Sequence, residues 1–405
     1  MNAELEFVVR WFRKYYIESP PPPPERFGRR EFGFMFFDRT YVQRHISFSK
    51  SVDFNSFLVE QVPAHVYYSS AYYEFPAAAT MEEKKWLGAD LIFDLDADHI
   101  KGSEGLSYED MLAKVKKEMI RLLDDFILGD LGFNSNDVKV VFSGGRGYHV
   151  HVFDPRVTGL KSHERREIVD YITGTDLDVN WVFEEKAFEE RKFKHTTKVH
   201  KSRLLPPAAS TGWRRRMRDG IEMLMRDMEG LSTQEVRSRY DAARDAPEKV
   251  LAEMMNDLFL RRGGKCGREI MIQNDTLEVF SNLRSQALFL KIVEGDVKRS
   301  LEGQVDEPVT SDIKRLIRLP RSLHGKTGLR VVPMSRDDLD EFDPLRDAVP
   351  EIFPDDPVTV NLENRVDVRL RGEHFSLQGT VEVPTYAAVF LLCRRNATVP
   401  VDPRN

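Results

Sequence analysis

Cysteine is nearly absent from this chain of 405 residues: only Cys266 and Cys393 occur, in no pairing motif. A disulfide framework is therefore not expected, and a reducing cytoplasm fits. Long apolar runs are missing as well. The longest, around Ala387 to Cys393, is far too short to span a bilayer. Glu4, Glu6 and Arg10 interrupt any apolar core of a secretory leader, so a soluble, unprocessed chain is expected. The chain also lacks a basic excess, with a formal net charge of −6 and a pI near 6.0. That excludes a basic packaging protein but not an enzyme whose basic residues line one cleft.

What is present is a composition for a core: 41% hydrophobic and 10% aromatic residues, richer in both than a disordered chain. The length allows one large domain with an insertion, or two ordinary ones. Leu5, Val8, Val9, Phe12, Tyr15 and Tyr16 recur at helical spacing, so residues 3–17 are predicted to form an amphipathic helix. Five consecutive prolines, Pro20 to Pro24, end it as a stiff spacer. Runs rich in Phe, Tyr, Val and Ile predict strands at 31–37, 44–48, 66–68 and 89–95. A long helix is predicted over 107–128, with Met111, Val115, Met119, Leu122, Leu123 and Phe126 on one face. Strands are expected at 138–142 and 148–153, and this order suggests a mixed α/β sheet. Residues 163–295 then turn helical and charged. The division expected is a catalytic part over 1–162, a mainly helical subdomain over 163–295, a second catalytic part over 296–345, and a C-terminal strand and helix segment over 346–405.

Three constellations carry chemistry. The first is Asp94-Leu95-Asp96, ending an apolar strand. Residues two apart on a strand share a face, so both carboxylates project together. Like charges this close raise each other's pKa, and a divalent cation removes the conflict; oxygen-only ligands suit Mg²⁺ or Mn²⁺. An acidic strand end facing water is the plainer alternative. The second is Ser143-Gly144-Gly145-Arg146-Gly147-Tyr148-His149, joining two strands. Its glycines permit backbone that exposes successive N–H groups to an anion, and Ser143, Arg146 and His149 complement a triphosphate. An ordinary glycine-rich hairpin would look similar.

The third runs from Asp306 to Gly328 and holds a candidate third acid followed by Arg315, Arg318, Arg321, His324 and Lys326. Gly325-Lys326-Thr327 resembles the tail of a phosphate loop, but Pro320 stands where that motif requires its first glycine. A Walker A loop is thereby excluded. Taken together, the three constellations are the parts for metal-assisted nucleotidyl transfer.

DLDADH at 94–99, SGGRGYHVHV at 143–152 and RLIRLPRSLHGKTG at 315–328 resemble the signature motifs of the archaeo-eukaryotic primase superfamily. The wording is most similar to the archaeal primase small subunit. REFGFMFF at 30–37 and RHISF at 44–48 resemble that family's N-terminal region, so the likeness runs over roughly residues 1–340. It implies an α+β, mixed-sheet primase catalytic domain with an inserted or adjacent helical subdomain. The implied activity is template-directed synthesis of RNA, or also DNA, primers on single-stranded DNA from nucleoside triphosphates, with Mg²⁺ or Mn²⁺. It places the metal acids at Asp94 and Asp96 and the third at Asp306 rather than Asp312. Nucleotide binding falls to Ser143, Arg146, His149, Arg318 and His324. A large primase subunit is the implied partner.

Many members of the family carry a zinc knuckle after the first motif, but residues 100–110 here contain no cysteine. No structural zinc is expected. The basic clusters Trp213-Arg214-Arg215-Arg216 and Arg261-Arg262-Gly263-Gly264-Lys265 are candidates for template contact or plain solvated surface. Three rival functions share some of these residues. A haloacid-dehalogenase-type phosphatase would want Gly-Thr where Ala97-Asp98 stand. A repair primase-polymerase would share every catalytic residue. A non-enzymatic single-strand-binding module would gain nothing from Asp94 and Asp96.

Overall fold

The computed structural model describes residues 3–100, 102–193 and 196–399. The chain forms two compact units. One joins Met1–Val169 to Gln304–Asn405; the other is Asp170–Gly303. Against the bounds of 163 and 295 expected from composition, the second unit begins inside the helix Ser162–Thr173 and ends just before the third motif.

The first unit carries β1 (Phe32–Met35), β2 (Gln43–Ile46), β3 (His65–Ser69) and β4 (Ala71–Tyr73). These are followed by β5 (Trp86–Ala89), β6 (Leu91–Asp96), β7 (Val138–Phe142) and β8 (Gly147–Val152). In the second unit, β9 (Glu184–Phe193) and β10 (Thr196–Leu204) pair as a hairpin. The first unit then resumes with β11 (Leu316–Arg318), β12 (Val332–Met334), β13 (Pro357–Leu370) and β14 (Glu373–Pro384). Two four-stranded sheets result, in the orders β11-β3-β1-β2 and β12-β7-β8-β6. The pairings within both are antiparallel. The two sheets meet where the Tyr68 hydroxyl lies 3.3 Å from His151 Nδ1 and the two rings stack.

Burial explains the placement of β6. Leu91, Phe93 and Leu95 are buried on one face; on the other, buried Ile92 is followed by Asp94 and Asp96, half-buried toward the strand's end. The helix Tyr108–Arg121 covers this sheet. Ser107 caps it by accepting the Asp110 N–H, and Leu112, Val115 and Met119 are buried. Leu112 therefore takes the core position expected of Met111. The helix continues through wider turns at Leu122–Asp130, burying Leu122, Leu123, Phe126 and Ile127.

A buried charge network fixes the start of β6. Arg30 is fully buried and donates to Asp90 (2.7 Å), to the Tyr72 hydroxyl and to the carbonyls of Ser69 and Ser70. Arg165 donates to the carbonyls of Ala89 and Asp90, both at 2.8 Å. The two guanidiniums and the Asp90 carboxylate are all partnered in this network, as burial demands.

The second unit is mainly helical, built on Gly212–Met228, Glu248–Phe259 and Leu283–Ile292. The β9–β10 hairpin is the departure from the helical reading; its sequence is too charged to show an apolar alternation. The C-terminal helix Thr385–Cys393 belongs to the first unit and is buried along nearly its whole length. Among the described residues, no helix is long and apolar enough to cross a membrane.

Candidate active site

The strand pairing brings the first two motifs side by side. In the β6–β8 ladder Asp94 stands opposite His149, and Asp96 opposite Gly147. His149 Nε2 lies 3.3 Å from Asp94 Oδ1. Burial pushes the His149 pKa well below its usual value, and the charges of His151, Arg318 and Arg315 add to this. The ring is therefore neutral, with Nε2 facing the carboxylate. Its Nδ1 is buried without a hydrogen-bond partner.

Asp94 is pushed up to about 7, first by burial and then by the nearby carboxylates of Asp96 and Asp306. Arg315 and Arg318 oppose the shift without cancelling it. Asp306 arrives through its backbone, its N–H donating to the Asp94 carbonyl at 2.9 Å, as it opens the short helix Glu307–Ser311. Asp312 closes that helix, accepts the Lys314 N–H, and acts electrostatically on Tyr73 and Arg165. The structure thus brings Asp306, not Asp312, up to Asp94.

A set of crowded carboxylates with no cysteine among them is the donor chemistry of a hard divalent cation. Among the described residues, however, no three acidic or imidazole groups converge into a ready-made chelate. Cys266 and Cys393 are both free thiols.

The glycine-rich loop turns between β7 and β8, and two of its glycines are demanded by close approach. Gly144 has φ +75°, and a Cβ there would lie 2.7 Å from His324 Cβ. A Cβ on Gly147 would lie 2.3 Å from the Leu95 carbonyl oxygen, against the first motif. The loop's N–H groups are not all open to an anion: those of Gly145 and Gly147 point at Ser143 Oγ, each at 3.3 Å. Arg146 pairs with Asp98 and lies 3.8 Å from Asp96, a screened pair at half-exposed side chains.

The third motif closes the site. Thr327 donates its hydroxyl to the Gly144 carbonyl at 2.6 Å and lies 3.2 Å from His324 Nδ1. His324 is buried and held neutral by burial, then by the charges of Arg318 and its neighbours. Arg318, on β11, pairs with Tyr67 on β3. Its Nη1 donates to His65 Nδ1 at 2.8 Å and to the Tyr67 hydroxyl at 3.2 Å. His65 also accepts the Gly325 N–H at 3.3 Å and packs edge-on against His324. Burial and the charges of Arg318 and Lys326 hold its pKa at about 2.

Asp94, Asp96, Ser143, Arg146, His149, Arg318 and His324 all line one cleft of about 1340 Å³. Asp306 stands behind Asp94 and is not among the lining residues. Sequence reasoning missed His65 and Tyr67, whose alternation on β3 marks a shared face. It also missed Tyr108, whose hydroxyl donates to the Gly145 carbonyl at 2.6 Å, and the cleft-lining Arg394 beyond the C-terminal helix.

The suspected basic clusters lie in the second unit and are engaged in ion pairs there. Arg214 pairs with Glu184, Arg215 with Asp219, and buried Arg218 with Asp275 and Glu222. Arg261 pairs with Glu269 and Arg262 with Asp257.

Fold and cleft together define a nucleotidyltransferase built on an α+β primase catalytic domain. A model of the DNA primase small subunit family matches residues 93–336, from the first motif to just past the third. The chain is 41% identical to a DNA primase small subunit, PriS, of Methanocella arvoryzae, covering 98% of this chain and 99% of that one. It is 40% identical to PriS of Methanothrix thermoacetophila (96% and 97% covered) and 39% identical to PriS of Methanococcoides burtonii (97% and 98% covered). The chain belongs to the DNA primase small-subunit family. As a small subunit it is one component of a primase complex.

Proposed function

We propose that this chain is the catalytic subunit of a DNA primase, synthesising short primers on single-stranded DNA from nucleoside triphosphates and working with a large primase subunit. The observation that carries this is the convergence, in one cleft, of Asp94 and Asp96 with the Ser143–Gly147 loop and with Arg318 and His324. In the reaction a 3′-hydroxyl oxygen attacks the α-phosphorus and gives up its proton to solvent water, a new P–O bond forms, and pyrophosphate leaves with the electron pair of the broken bond. Asp94 and Asp96 would hold Mg²⁺ or Mn²⁺, with Asp306 adding negative charge beside them. Once bound, the cation activates the hydroxyl and offsets the charge developing on the leaving pyrophosphate.

The protein's own groups position and neutralise. Neutral His149 stands beside the Asp94 carboxylate and limits its room to turn. Arg318, braced by His65 and Tyr67, offers a fixed guanidinium for phosphate oxygens. Arg146 exchanges its pairing with Asp98 for the triphosphate, and Ser143 and His324 complete the cradle. The phosphatase and pure binding-module readings leave this convergence without a purpose.

Asp96→Asn is expected to abolish primer synthesis on a single-stranded template with Mn²⁺ while leaving the thermal midpoint unchanged. Persistent synthesis would refute the assignment. Metal analysis of the purified chain is expected to find less than stoichiometric zinc, because a cysteine-borne zinc site lacks its thiolates.

A further inference from the structure

The cleft is larger than one nucleotide requires, and its basic lining extends beyond the three motifs. Small-molecule pockets run to roughly 300–1,000 Å³, whereas this cleft measures about 1340 Å³. Its lining includes Arg394 and Arg395, directly after the helix Thr385–Cys393. Both lie outside the stretch that the family model matches.

This C-terminal segment is seated firmly on the catalytic loops. Gly328 of the third motif, at φ +70°, would bring a Cβ within 2.8 Å of Val389 Cγ1. Arg394 lays its guanidinium over the Tyr108 ring, 4.1 Å from the centroid, and Tyr108 in turn holds the Gly145 carbonyl. Arg395, at φ +58°, turns the chain out of the helix and is exposed. Beyond it, Asn361 and Thr398 exchange backbone hydrogen bonds at 2.8 and 2.9 Å, tying the segment to β13.

Arg394 and Arg395 differ from the basic clusters of the second unit in having no carboxylate partner among the described residues. The same holds for Lys326, which shares the cleft. Helix packing explains where the segment lies, but not why two adjacent guanidiniums end it without a carboxylate partner in the lining of this cleft.

We propose that Arg394 and Arg395 bind the phosphodiester backbone of single-stranded nucleic acid where it enters the catalytic cleft. The inference rests on the primase reading above and adds to it a strand-binding site distinct from the triphosphate cradle. Arg394 is preorganised by stacking on Tyr108, so its cost of ordering is already met in the free protein. Arg395, exposed beside it, supplies the second charge. Neither reads base identity, and binding is sequence-tolerant and salt-dependent.

The test is fluorescence anisotropy of a labelled oligothymidylate bound to the full chain across a salt series, for wild type, R394Q/R395Q and R394K/R395K. Each phosphate contact on a single strand contributes about 0.7 to the slope of log affinity against log salt. The Gln pair is expected to flatten that slope by about 1.4 and to narrow the affinity change between 50 and 200 mM salt by about sevenfold. The Lys pair is expected to restore most of the slope, which a packing role would not produce. In primer synthesis the Gln pair should raise the template concentration for half-maximal rate, while the nucleotide KM at saturating template moves less than about twofold. An unchanged salt slope, or a wild-type chain whose strand binding does not depend on salt, overturns the proposal. So does an effect confined to the nucleotide KM, which would assign the pair to the triphosphate. Failure of wild-type protein to make primers would instead count against the primase reading itself.

Discussion

Replacing His65 tests whether Arg318 acts as a braced guanidinium or merely as a nearby charge. Arginine N–H groups only donate, so His65 Nδ1, 2.8 Å from Arg318 Nη1, must be the acceptor and the ring proton sits on Nε2. With its pKa at about 2, the ring stays neutral and keeps this acceptor at every pH at which the protein would be assayed. A hydrogen bond to a charged group is worth about 1.5–3 kcal/mol. At about 1.4 kcal/mol per factor of ten, His65→Leu should lower kcat/KM for the nucleotide by about ten- to 150-fold. The loss should fall mainly on KM, because the brace acts on binding geometry. His65→Asn places a side-chain oxygen near the Nδ1 position and should recover most of the activity, whereas His65→Gln, reaching toward the Nε2 position, should not. Primer synthesis over a nucleotide series gives both constants, and the thermal midpoint controls for folding. In an Arg318→Ala background, His65→Leu should cost less than about threefold, since the group it braces is gone. Equal losses for Asn and Leu, or full additivity with Arg318→Ala, would refute the reasoning.

Other outcomes follow from the same geometry. Chelation by EDTA should stop primer synthesis, and added Mg²⁺ or Mn²⁺ should restore it; synthesis that survives EDTA argues against a metal-dependent site. Gly144→Ala forces a left-handed backbone at about 1–2 kcal/mol and presses on His324. It should lower the thermal midpoint by a few degrees and reduce synthesis far more than that loss of stability explains. Arg30→Met would leave Asp90 buried without its partner, a loss of about 3–5 kcal/mol that urea denaturation would read as a lower midpoint.

Local pattern made much of this site legible. The apolar run before Asp94 announces a buried strand, and its parity puts Asp94 and Asp96 on one face, where the structure has them. The glycines of the second motif announce a turn, although the reason for two of them, contact with His324 and Leu95, is a fact of tertiary packing. What stayed hidden depends on register between distant segments. His65 and Tyr67 gain their role only when β3 pairs with β11, some 250 residues away. Arg394 meets Tyr108 across a still longer separation. The hairpin strands β9 and β10 escaped because the first is mostly charged and the second mostly polar, so neither shows the apolar alternation that marks a half-buried strand.

Both four-stranded sheets are completed by strands that follow the second unit in the sequence: β11 lies at the edge beside β3, and β12 at the edge beside β7. During synthesis, β1 to β8 leave the ribosome before residues 170–303, and only then do the closing strands appear. At about 5–20 residues per second the wait is on the order of ten seconds. Through that interval β3 and β7 would present unpaired backbone edges, which invite pairing with other chains. Asp94 would likewise lack the compensating charges of Arg315 and Arg318. The nascent protein is therefore at its most aggregation-prone until about three quarters of it has been made, and a truncation before residue 316 should be insoluble rather than merely inactive.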